Sequence, residues 1–166
     1  MRSTYPLALL FALGALACGA SRPDATSRPT LALPPEAAVS VARAYFEAMQ
    51  ARDLDAAAAL FTTPSSVFET GGREGSFEHY AAHHLGPELA AIERFEIRPG
   101  EPEVVRGADG TLALVAYPIE YDIDLADGRE IRSSGTVTFV LISRGDQYAV
   151  RHLHWSSRAR REAAAH

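Results

Sequence analysis

Chemistry-bearing residues gather in two places along this chain. In residues 148–158, read YAVRHLHWSSR, His152 and His154 stand one residue apart beside Trp155, the only tryptophan. In FEHYAAHHLGPEL, Tyr80, His84 and Glu88 recur every fourth residue, and His79 and His83 form a second pair at the same interval. A strand carrying His-x-His puts both imidazoles on one face, about 6–7 Å apart, close enough to share a metal ion. On a helix, the Tyr80, His84 and Glu88 spacing lines one edge. If the two lines face a common cavity, they supply its ligand-binding wall: Tyr80, His84, Glu88, His152 and His154. His84, His152 and His154 then form a three-imidazole set, Glu69 adds a carboxylate, and such nitrogen and oxygen donors suit zinc or copper. Without a metal, His84 paired with Glu69 or Glu88 has the makings of a general base acting on a small apolar substrate. A third reading gives the same side chains no role beyond hydrogen bonding in a packed wall. His79 and His83 point away from the apolar stripe of their helix, toward solvent or another surface.

The elements that must position these residues follow from periodicity. Residues 36–50 carry Val39, Ala42, Tyr45, Phe46 and Met49 at helical spacing, with Pro35 and Glu36 suited to the first turn. Asp53 caps a short second helix, LDAAAALF, which residues 62–64 end. Residues 66–70 form a short strand, and the glycines of Gly71-Gly72-Arg73-Glu74-Gly75 mark a tight turn. Ser76 is the N-cap of a helix whose apolar stripe is Phe77, Ala81, Leu85, Leu89 and Ile92, bent or broken at Gly86-Pro87. Beyond Arg94 the period becomes two. Strands are expected over 95–106, interrupted at Pro99-Gly100, then over 111–124, 129–144 and 148–158, joined at Asp109-Gly110, Asp127-Gly128 and Gly145-Asp146. Helices first and a meander after imply an α+β fold with helices covering one face of an antiparallel sheet. Unbroken alternation puts Tyr148, Val150, His152, His154 and Ser156 on one face of the last strand. Leu153 and Trp155 fall on the other, as a partner surface or packed beneath the first helix.

The chain has 166 residues, 47% hydrophobic, with a formal net charge of -5. That is one globular domain with extensions, and it lacks the basic stripe of a nucleic-acid binder. Residues 1–17 read as an export signal: Arg2, an apolar run, then small residues before Cys18. The run is short of the about 20 residues that span a bilayer. Cys18, the sole cysteine, follows ALA as in a lipobox; acylation there and plain secretion after Ala17 are the two outcomes, which labelled palmitate separates. Lipidation at Cys18 makes this a bacterial cell-envelope lipoprotein touching the membrane only through its anchor; plain secretion makes it periplasmic or exported. Residues 18–35 are a Pro- and Ser-rich tether, 36–158 the domain and 159–166 a solvated tail.

The phrases ARAYFEAMQARDLDAAAALF, FETGGREGSFEHYAAHHLGPEL and YAVRHLHWSSR, in this order and spacing, resemble the nuclear transport factor 2-like superfamily, in particular its bacterial SnoaL-like members. The resemblance spans residues 36–158. It implies a cone of N-terminal helices against a curved antiparallel sheet, a small molecule bound in the cone, and a homodimer formed through the sheet. It also implies a choice among a ligand-binding module, a small isomerase- or dehydratase-like enzyme using a His/Glu pair, and a structural dimer module with no site.

Overall fold

The computed structural model describes residues 32–160. The export signal, Cys18, most of the tether and the last six residues lie outside the described residues.

Helix α1 (Pro35–Ala51) opens with proline in its first turn and ends where Arg52 enters the left-handed region, φ 58°. Its stripe of Ala38, Ala42, Tyr45, Phe46 and Met49 is buried. Asp53 caps α2 (Leu54–Ala59), its carboxylate accepting from the Ala56 amide at 2.9 Å; a cap of this kind is worth about 1 kcal/mol. Strand β1 (Phe61–Glu69) and β2 (Gly72–Gly75) form a hairpin on the glycine-rich turn. Ser76 caps α3 (Phe77–Tyr80), which runs through a π-helical turn (Ala81–Leu85) into α4 (Gly86–Ala90).

The helix therefore does not break at Gly86-Pro87. Pro87 lacks an amide hydrogen and its ring would crowd a carbonyl one regular turn back; the wider turn, with the Gly86 amide bonded to the Ala81 carbonyl, absorbs this. A Cβ at position 86 would sit 2.6 Å from that carbonyl oxygen, so glycine is what lets the turn close.

The remaining strands are β3 (Ile92–Pro99), β4 (Glu103–Arg106), β5 (Leu112–Leu125), β6 (Glu130–Arg144) and β7 (Gln147–Ala159). They make one sheet in the order β2-β1-β7-β6-β5-β3, with β4 also on β5. The break at Pro99-Gly100 separates β3 from β4 as the sequence indicates. The sheet is mixed, because β1 pairs parallel to β7 while every other pair is antiparallel. α1 lies across β3, β5 and β7. Its rings interlock with those of the sheet: Tyr45 and Phe46 meet Phe139 edge-on at 5.6 and 5.7 Å, and Phe46 meets Tyr117 at 5.3 Å.

The last strand departs from unbroken alternation. Leu141 pairs with Val150 but Val140 pairs with His152, so Arg151 is an extra residue, a β-bulge. The bulge reverses the parity of everything after it. Tyr148 and Val150 are buried before it, and Leu153 and Trp155 are buried after it, at 1% and 7% exposure. His152 and His154 are thereby turned to the opposite face.

Candidate functional site

Between α1, the α3–α4 helix and the β3 side of the sheet lies a cavity of about 400 Å³. Its apolar walls include Met49, Leu89, Ile92, Phe95, Ile123 and Trp155, and its polar groups are Tyr45, Glu69, Tyr80, Glu88, Tyr121, Arg129 and Ser157 among others. Parallel pairing sets Glu69 of β1 directly beside Trp155 of β7. Trp155 also packs edge-on against Phe46 at 6.4 Å and Tyr121 at 5.6 Å. Of the two places open to it in the sequence, it takes the interior, and Leu153 with it; neither forms a partner surface.

At the Glu69 end the polar side chains form a connected group. The Tyr80 hydroxyl donates to Glu69 Oε2 at 2.6 Å. His84 Nδ1 meets Glu74 Oε2 at 3.0 Å and His84 Nε2 meets Glu88 Oε1 at 3.1 Å, with Glu69 Oε2 at 4.0 Å. One imidazole thus faces three carboxylates. Its pKa is raised, first by the hydrogen bond to Glu74 and then by the charges of Glu88 and Glu69, against the opposing pull of desolvation. Burial pushes Glu69 above the usual carboxylate range; Glu88 and Glu74 add to this, while the Tyr80 hydrogen bond and His84 offset part of it. Burial, then the neighbouring Glu69, raises Tyr45; burial likewise raises Tyr80, with Tyr45 and Glu69 adding to it.

The helix edge of Tyr80, His84 and Glu88 is thus where periodicity puts it, and Glu69 joins it; Tyr80, Glu88 and Glu69 line the cavity, whereas His84 stands behind the two carboxylates, outside the lining. His152 and His154 do not join it. His152 shares a 2.8 Å hydrogen bond with Ser66 on the outer face, where Phe68 also packs against both imidazoles at 4.9 and 6.3 Å. Burial, then His154, lowers the His152 pKa. The zinc or copper set of His84, His152 and His154 is accordingly not assembled, the cause being the bulge at Arg151. Among the described residues no group of three or more His, Cys, Asp and Glu side chains is arranged to hold a metal ion. His79 and His83 are exposed, their rings 4.5 Å apart and tilted by 45°.

Glu74 escaped the sequence reading. It sits in a glycine-rich turn whose composition signals only the turn, and neither helical nor strand spacing links it to His84. The β1–β2 hairpin folding back beside the helix makes the link.

Glu69 carries a pH signature. A carboxyl whose folded pKa exceeds its unfolded one stabilises the fold fully below the unfolded pKa, and that contribution is lost as pH rises through the folded pKa. His84 has the same sign. Glu69→Gln is therefore expected to show a shallower fall of Tm with rising pH than the parent, across the range from the ordinary glutamate pKa upward. Thermal melts followed by circular dichroism at several pH values measure it; parallel profiles for parent and variant would refute the assignment.

The family described as the SnoaL-like domain matches residues 39–160. No curated protein matches the chain. Among solved structures, a nuclear transport factor 2-like superfamily protein from Salmonella enterica is 15% identical, with TM-score 0.67 over 78% of this chain and 94% of that one. A ketosteroid isomerase candidate from Shewanella frigidimarina is 25% identical, with TM-score 0.63 over 72% and 94%. A dehydratase candidate of the nuclear transport factor 2-like family from Streptomyces avermitilis is 16% identical, with TM-score 0.65 over 75% and 97%.

Proposed function

The chain belongs to the SnoaL-like domain family, and from that premise we propose that it binds a small, largely apolar molecule in the cavity, the polar end of the ligand at Glu69. The supporting observation is the cavity itself: about 400 Å³ stays open between the helices and the sheet, with buried apolar side chains on its inner wall and its mouth at the surface near Glu88 and Arg129. Such lining is what small-molecule sites share. A structural dimer module has no use for an open interior, where each unfilled volume forfeits packing.

Trp155 reports on occupancy, since it is the sole tryptophan and lines the cavity. Titration with the neutral probe 2-phenylethanol should change its emission saturably, with a dissociation constant on the order of a millimolar or tighter for so small a ligand. Ile123→Phe, which fills the wall, should abolish the response while preserving the circular dichroism spectrum. An unresponsive parent protein would sink the reading.

A second reading, the isomerase- or dehydratase-like enzyme, is favoured by one specific arrangement. Carboxylates at both nitrogens favour the protonated form of His84, which stands 4.0 Å from Glu69 Oε2. Glu69 lines the cavity, where a carboxylate made more basic by burial is placed to take a proton from a bound ligand. The names of the Shewanella and Streptomyces relatives agree with that chemistry. Solvent deuterium entering a bound carbonyl compound beside its carbonyl would mark the enzyme; its absence across such compounds would leave binding alone.

A further inference from the structure

We propose that the ligand of this cavity carries a protonated amine on an apolar body, an inference that rests on the small-ligand reading above. Two independent features point to it. The first is the pairing of rings with carboxylates. Tyr45, Tyr80, Phe95, Tyr121 and Trp155 all contribute to the lining, and so do Glu69 and Glu88. Aromatic faces attract organic cations electrostatically, and carboxylates supply the charge-assisted hydrogen bonds that fix an ammonium in place. Arg129 is the one cationic residue of the lining, and its guanidinium is largely exposed and paired with Asp127 at 2.8 Å. An anionic ligand would therefore meet Glu69 and Glu88 with little to offset them.

The second feature is a hydroxyl at the cavity wall. Tyr45 is 1% exposed as a residue and lines the cavity, and its hydroxyl has no hydrogen-bond partner among the described residues. The fully enclosed side-chain atoms left without a hydrogen-bond partner there are Tyr117 OH and Asp124 Oδ1, so the Tyr45 hydroxyl opens onto the cavity, where a ligand can satisfy it. An ammonium donates hydrogen bonds and a phenol oxygen can accept one. Glu69 Oε2 is taken by Tyr80, whereas Glu69 Oε1 has no partner among the described residues. The electrostatic balance agrees: His84 offers one positive charge to Glu69, Glu74 and Glu88 together. A bound cation would relieve the surplus, which a neutral molecule leaves standing.

The experiment compares 2-phenylethylamine with 2-phenylethanol on the full chain near neutral pH, reading Trp155 emission. The two probes share shape and apolar body and differ in charge. The amine should bind at least about tenfold more tightly, as a charge-assisted contact in a partly desolvated site implies. Glu69→Gln should cut the preference to about twofold or less, the amine losing more affinity than the alcohol. If that variant loses its circular dichroism spectrum, Glu88→Gln is expected to reduce the preference in the same direction. Equal affinity for the two probes would overturn the amine inference and leave the small-ligand reading intact. Failure of both to perturb Trp155 would overturn both.

Discussion

Phe139→Ala is expected to lower the unfolding free energy by about 3–5 kcal/mol, the range for deleting a fully buried aromatic ring. Phe139 is 0% exposed and sits on β6 under the two aromatic residues of α1, touching Tyr45 and Phe46 edge-on. Removal leaves a void beside Tyr45 and Phe46, which four more rings hold in place: Tyr45 also meets Phe61 and Phe77, and Phe46 meets Tyr117 and Trp155. Those rings are braced from several directions, so collapse into the void is restricted and the upper part of the range applies. Urea unfolding followed by Trp155 emission gives the value. A loss below about 1 kcal/mol would mean that α1 does not depend on this contact, contrary to the packing described.

Gly135→Ala is the second large effect, and its origin is backbone proximity. A Cβ at position 135 would lie 2.1 Å from the Ser156 carbonyl oxygen and 2.8 Å from Ser157 Cα. Backbone atoms cannot swing aside as a flexible side chain can, so β6 and β7 must separate where Gly135 pairs with Ser157. Overpacking of this kind costs about 1–3 kcal/mol, and the upper end is expected here. Ser157 and Trp155 line the cavity, so the strain also reaches the ligand site. The variant should melt earlier and bind 2-phenylethanol more weakly; unchanged melting would show that the sheet relaxes freely at this point.

Much of the architecture was legible because local signals agreed with it. Pro35, Asp53 and Ser76 start helices where capping chemistry says they should, and Asp127-Gly128 and Gly145-Asp146 join long strands of matching period. The helix edge of Tyr80, His84 and Glu88 was legible for the same reason, the four-residue repeat. What could not be read depends on contacts between distant segments. The parallel pairing of β1 with β7, which brings Glu69 beside Trp155, joins residues 86 apart in sequence. The Glu74–His84 contact needs the hairpin to fold back on a helix, and nothing in a glycine-rich turn announces that. The π-helical turn that carries the chain through Gly86-Pro87 is likewise set by how one carbonyl accommodates a proline.

The bulge at Arg151 has a further consequence, for how such a site changes over descent. Substitution alone would need coordinated replacements along the end of β7 to exchange its inner and outer side chains. Loss of the Arg151 codon would leave a strictly alternating strand with Leu153 and Trp155 still inward and His152 and His154 still outward, because the bulge already accommodates the one extra residue. A codon gained just after His152, with no second bulge to absorb it, would instead carry Leu153 and Trp155 outward and His154 inward in one step. The ring-walled interior thus tolerates the loss of a residue at the bulge and is undone by the gain of one beyond it.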